Sequence, residues 1–145
     1  GIALGGSGMA WAGDYENGVA AVERGDFATA YRLWAPLAEK GNAEAQFQLG
    51  LLYDKGRGVN QDLEKALHWY RAAAEQDHAT AKNNLGYMYG TGRGVKQDYG
   101  EAFRWYEAAA EQGSAEAQYN LGVYYNYGFG VELAKVEGDV FTGGG

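Results

Sequence analysis

Two histidines, a set of carboxylates and two glycine-rich turns are the features of this chain whose residue types lend themselves to chemistry. His68 and His78 stand ten residues apart. A helix-borne zinc site wants two histidines four apart on one face, and that pair is missing. There is no cysteine, so thiolate ligands, thiol nucleophiles and disulfide frameworks drop out together. A serine nucleophile would sit in G-x-S-x-G or S-x-x-K, and neither occurs. Acid–base catalysis needs a carboxyl of raised pKa in a secluded pocket. Here Asp62 and Asp98, like Glu75 and Glu111, recur at one fixed spacing, which suits helix caps and solvated faces. The GTGRG run at 90–94 resembles a phosphate cradle, but a Walker loop continues into Gly-Lys-Ser/Thr and a dinucleotide loop follows a strand. The GRG at 56–58 fills the same slot, so turn geometry is the better account. These residues predict no catalytic, metal-binding or cofactor-binding site, and a chain that is not itself an enzyme.

The recurrence that disqualifies those residues as chemistry organises the rest of the chain. Laid without gaps over residues 78–113, residues 42–77 are identical at 19 of 36 positions. Shared are Ala45/Ala81, Leu49-Gly50/Leu85-Gly86, Tyr53/Tyr89, the GRGV turns, Asp62/Asp98 and Trp69-Tyr70/Trp105-Tyr106. A third copy starts at Ser114, with Ala117, Leu121-Gly122, Tyr125, Gly128 and Gly130 in register. A half-copy at 26–41 carries Ala30, Trp34, Ala38 and Glu39. Repeats of this length are supersecondary units that bury their apolar face only by stacking on neighbours.

Each unit reads as two helices. The first covers about 43–53, with Ala45, Leu49 and Tyr53 four apart on one face. Gly50 costs about 1 kcal/mol against alanine inside that helix, so its recurrence predicts a close helix–helix approach. Gly56 and Gly58 suit a left-handed helix end. Asp62 then offers an N-cap to a second helix whose buried stripe is Ala66, Trp69, Tyr70 and Ala73, and His68, matched by Arg104, falls on its solvated side.

Composition agrees. An apolar fraction of 46% excludes a mainly disordered polymer, and no apolar run reaches the length of a spanning helix. The net charge of −7 disfavours nucleic acid and anionic membrane as partners.

The combination A-x-x-x-L-G-x-x-Y-x-x-G-x-G-V-x-x-D-x-x-x-A-x-x-W-Y-x-x-A-A resembles the Sel1-like repeat, a relative of the tetratricopeptide repeat. Both full copies meet it, with Asp77 standing where a terminal glycine is usual. The resemblance implies an all-α, right-handed α-solenoid of antiparallel helix pairs whose first helices line a concave groove. It implies an adaptor or scaffold binding a protein or peptide segment there. The alternative is a regulatory or accessory domain of an enzyme or cell-envelope assembly whose active part lies outside this chain. Transferred from related grooves, the candidate contact positions are Glu44, Phe47, Leu51 and Lys55; Thr80, Asn83, Tyr87 and Thr91; and Glu116, Tyr119, Val123 and Tyr127. Asn84 and Asn120 either present amides to a guest backbone or bond between helices. With Lys55 as the only basic member, the set suits an apolar or mixed segment better than an acidic one, its tyrosines being usual anchors of recognition.

The expected organisation is 1–13 as a signal-peptide remnant or linker, 14–41 as a divergent helix pair and 42–77 and 78–113 as full repeats. A partial repeat at 114–131 and a divergent tail at 132–145 complete it. The small, apolar start ending in Ala10-Trp11-Ala12 points to export, to a bacterial periplasm, with a cytoplasmic linker scar as the other reading.

Overall fold

The computed structural model describes residues 7–130, and every regular element among them is a helix: α1 (Ser7–Glu23), α2 (Phe27–Glu39), α3 (Ala43–Lys55), α4 (Leu63–Ala74), α5 (Ala79–Thr91), α6 (Tyr99–Glu111) and α7 (Ala115–Tyr127). The tail at 132–145 and the first six residues lie outside the described part. Helix α1 starts at Ser7, inside the stretch the sequence suggested as leader or linker.

Local chemistry starts and stops these helices. Side chains of Asp26, Asn42, Asp62, Asp98 and Ser114 each accept from the backbone N–H three residues on, at 2.8–3.2 Å. His78 caps α5 through Nδ1, 3.1 Å from the Ala81 N–H. Such a cap satisfies one of the donors that every helix start leaves orphaned. Helices α3, α5 and α7 each end in a left-handed glycine, Gly56, Gly92 and Gly128, with φ of 68°, 72° and 76°.

The chain divides after Gln76 into two compact units. In the first, α1 packs on α2, α2 on α3 and α3 on α4. Its core holds Ala21, Ala30, Trp34, Leu37, Ala45, Leu49 and Leu52, flanked by Tyr15, Val19 and Phe27. Small residues bring the backbones close. A Cβ built on Gly50 would lie 2.5 Å from the Tyr70 ring, so the glycine is the notch into which that ring fits. The Trp34 ring covers Gly18 in the same way and donates Nε1 to the Tyr15 carbonyl at 3.2 Å. Gln76 Nε2 ties the end of α4 back to the Gly41 carbonyl at 2.8 Å and to Gln46 Oε1 at 2.9 Å.

In the second unit α5 packs on α6 and α6 on α7. Gly86 repeats the notch, with a built Cβ 2.6 Å from Tyr106. Tyr106 and Tyr124 meet edge to face at 5.1 Å, and Tyr99 stacks on Phe129 at 4.3 Å. The third notch of this series, Gly122, is exposed and has no ring over it among the described residues.

Trp69 departs from the expected buried stripe. Ala66, Tyr70 and Ala73 are fully buried, but Trp69 is half-buried and only flanks the core. Consecutive helical residues point about 100° apart, so when Tyr70 fills the notch its neighbour falls on the shoulder.

Candidate functional site

The candidate positions lie on α3, α5 and α7, the helices that open the repeats. Gly50 and Gly86 face the Tyr70 and Tyr106 rings of the helices that follow, whereas Ala45 and Leu49 pack into the core shared with α1 and α2.

In the first unit, Tyr15 of α1 reaches across to α3. Its hydroxyl donates to Glu44 Oε2 at 3.4 Å and accepts from Gln48 Nε2 at 3.2 Å. Burial is the main cause that raises the Tyr15 pKa, so the phenol stays a donor. Glu44 and Lys55 are exposed and Leu51 is half-buried. Phe47 turns inward, 9% exposed with its ring 5.9 Å from Tyr70. Little of it is left for a guest.

The second unit repeats the cross-helix pattern with different residues. Asn83 Nδ2 donates to Glu116 Oε1 at 2.9 Å, and Asn120 Nδ2 donates to Asn83 Oδ1 at 3.1 Å. In both units the residue three before the notch glycine of one first helix bridges to those six and two before the notch glycine of the next. Asn83 is therefore 5% exposed, a buried and hydrogen-bonded strut. Asn120 takes the interhelix bond, one of its two expected roles. Asn84 is half-buried with no side-chain partner among the described residues.

The positions left open in the second unit are aromatic. Tyr87 is 53% exposed, Tyr119 72% and Tyr127 67%. Thr80 and Thr91 are exposed beside Tyr87, the Thr91 hydroxyl donating to the Tyr87 carbonyl at 2.7 Å, and Val123 is half-buried. Among the described residues no three His, Cys, Asp or Glu side chains gather as a metal site. His68 is exposed, edge-on to Trp69 at 4.8 Å. No described helix is long and apolar enough to cross a membrane.

Tyr15 went unnoticed in the sequence because α1 carries neither the Leu-Gly pair nor the GRGV turn. The spacing hid it as well. The α1–α2 link is Arg24–Asp26, three residues, whereas seven separate α3 from α4 and α5 from α6. Gly18 and Gly50 are thus 32 apart, and a search at 36 misses the first.

The Sel1 repeat family model matches residues 6–42, 43–78, 79–114 and 115–133. No curated protein matches the chain in sequence. Among solved structures, a protective antigen of uropathogenic Escherichia coli with an SLR fold is similar at 34% identity and a TM-score of 0.80, covering 83% of this chain and 27% of its own. A Sel1 repeat protein from Oxalobacter formigenes matches at 36% identity and 0.78, covering 88% and 55%. The Helicobacter pylori cysteine rich protein B shares the fold at 22% identity and 0.60, covering 79% and 97%. The chain thus spans about a quarter of the first relative and about half of the second.

Proposed function

Because the chain belongs to the Sel1 repeat family, we propose that it is a protein-interaction module that holds a segment of a partner against the open face of its first helices. Sel1 repeats generally serve protein–protein contact. The observation that carries the reading here is the exposure of Tyr87, Tyr119 and Tyr127 at those face positions, each more than half open to solvent. Tyrosine loses little rotamer entropy on docking and offers both an apolar ring and a hydroxyl, which is why it dominates binding hot spots. Helices α5 and α7 beneath them are capped at both ends, and α5 is notched onto Tyr106, so little ordering cost falls on the module when a guest docks.

In the second unit Thr80, Asn84, Thr91, Glu116 and Val123 would flank the anchors, and in the first Glu44, Leu51 and Lys55 would line the corresponding face. Phe47, Asn83 and Asn120 support the face from within. An exported, envelope-associated setting accompanies this proposal, supported by similarity to an antigen and by the small, apolar residues before Asp14. Affinity capture from extracts of the source cells, with binding quantified by calorimetry on the captured protein, tests the face. Tyr87→Ala with Tyr119→Ala should weaken binding at least tenfold, since hot-spot tyrosines carry about 2 kcal/mol or more each. Full affinity in the double variant would remove the face from consideration. Phe47→Ala is unsuitable for this test, because it opens a cavity beside Tyr70 and costs about 3 kcal/mol of stability.

A further inference from the structure

In the first unit a cavity of about 110 Å³ opens between α1, the start of α2 and the end of α3. Its wall runs from buried Trp34 and Leu52, through half-buried Val22, Phe27, Leu51 and Gln48, whose amide is held by the Tyr15 hydroxyl, to exposed Lys55 and Arg57. Cavities of about 150 Å³ walled by aliphatic and aromatic groups take up benzene, so this one suits a single branched aliphatic side chain. Neither cation at its edge has an ion-pair partner among the described residues. Arg57 lies over the Phe27 ring, 5.3 Å from its centroid, which fixes the guanidinium beside the opening. Two unpaired positive charges beside an apolar hole are conspicuous in a chain of net charge −7.

We propose that this pocket captures the C-terminus of a partner polypeptide ending in Leu, Ile or Val, the side chain entering the cavity and the terminal carboxylate bridging Lys55 and Arg57. The proposal rests on the protein-binding reading and names the chemistry of one contact within it. Charge complementarity requires an anion, and the size of the hole requires that the anion sit within a bond or two of the inserted group. A terminal α-carboxylate meets that condition. An internal Asp or Glu beside the inserted residue does not, because neighbouring side chains of an extended segment point to opposite faces. Bonds from ammonium and guanidinium to carboxylate are about twice as strong as neutral ones.

Three probes distinguish the sources of charge: N-acetyl-Ala-Leu with a free carboxylate, the same dipeptide as its C-terminal amide, and N-acetyl-Ala-Leu-Asp-Ala amide. Each is titrated into the 145-residue chain by heteronuclear NMR. The free acid should shift the backbone amides of Leu51, Leu52, Lys55 and Arg57 saturably, with both other probes roughly tenfold weaker or worse, as expected when a charge-assisted pair is lost. The double variant Lys55→Gln/Arg57→Gln, at exposed sites that leave the fold intact, should erase the preference for the acid. Equal affinity for acid and amide, an equally tight Asp peptide, or a preference that survives the double variant would each overturn the assignment. Loss of the captured partner in the Tyr87/Tyr119 variant with no acid preference in these titrations would leave the tyrosine face standing and remove only the pocket.

Discussion

Asp77 satisfies two requirements that oppose each other. Its φ is +67°, at the turn where Gly41 and Gly113 take +101° and +94°. A side chain in that region costs about 1–2 kcal/mol, least for Asp and Asn. In return its carboxylate accepts from the Lys82 ammonium at 3.1 Å, and Lys82 is only 8% exposed. The slot of Lys82 is held by Gln46 and Gln118 in the other repeats, and in the first unit Gln46 bonds Gln76 instead. Gln112 already reaches the Asp77 carbonyl at 2.8 Å, as Gln76 reaches that of Gly41. Asp77→Gly alone should therefore change stability by less than about 1 kcal/mol, relief of strain being offset by an ammonium left without its partner. Asp77→Gly with Lys82→Gln should exceed the parent by about 1–2 kcal/mol, since both sides of the conflict are then gone. Urea unfolding of the four proteins gives the coupling directly, and strict additivity would mean that the two residues do not answer each other.

Glycine notches set the spacing of the helix pairs, and they separate two substitutions that look identical in sequence. Gly86→Ala adds the helix propensity of alanine, up to about 1 kcal/mol, but pushes a methyl into the Tyr106 ring. Overpacking of that kind costs about 1–3 kcal/mol, so the net effect should be a lower melting temperature and unfolding midpoint. Gly122→Ala meets nothing among the described residues and should raise both. The same sign for both would show that ring-over-glycine contact does not position the helices. The notches also show how far the sequence was legible. Leu49-Gly50 and Leu85-Gly86 announced close approach, and Tyr70 and Tyr106 supply the rings. Which face residues stay open was not legible. Tyr15, Phe47, Asn83 and Tyr119 share one position in successive first helices, yet Phe47 is packed, Tyr15 and Asn83 act as struts and Tyr119 is exposed. The outcome at each depends on what the adjoining helix offers, information that repeat register does not carry.

Across the molecule, buried phenols tie stability to alkaline pH. In the first unit, burial and the hydrogen bond with Tyr31, 3.0 Å between hydroxyls, push the Tyr53 pKa up to about 12. In the second, burial above all and then Tyr99 push Tyr124 to about 12, and burial raises Tyr106 further still. An unfolded tyrosine titrates near 10. Above that pH the unfolded chain releases phenolic protons that the folded chain retains, so the number of protons bound is smaller in the unfolded state and stability falls as pH rises. The contribution of these groups is complete below pH 10 and is lost progressively between 10 and 12. Melting temperatures should thus be level on approach to pH 10 and drop steeply beyond it, with helical circular dichroism and a late phase of tyrosinate absorbance changing together. Tyr124→Phe removes one of the retained protons while keeping the ring against Tyr106, and should make the alkaline slope shallower. If all twelve tyrosines ionised in one step near pH 10 with the helices intact, the rings would not be sealed in the core as the packing requires.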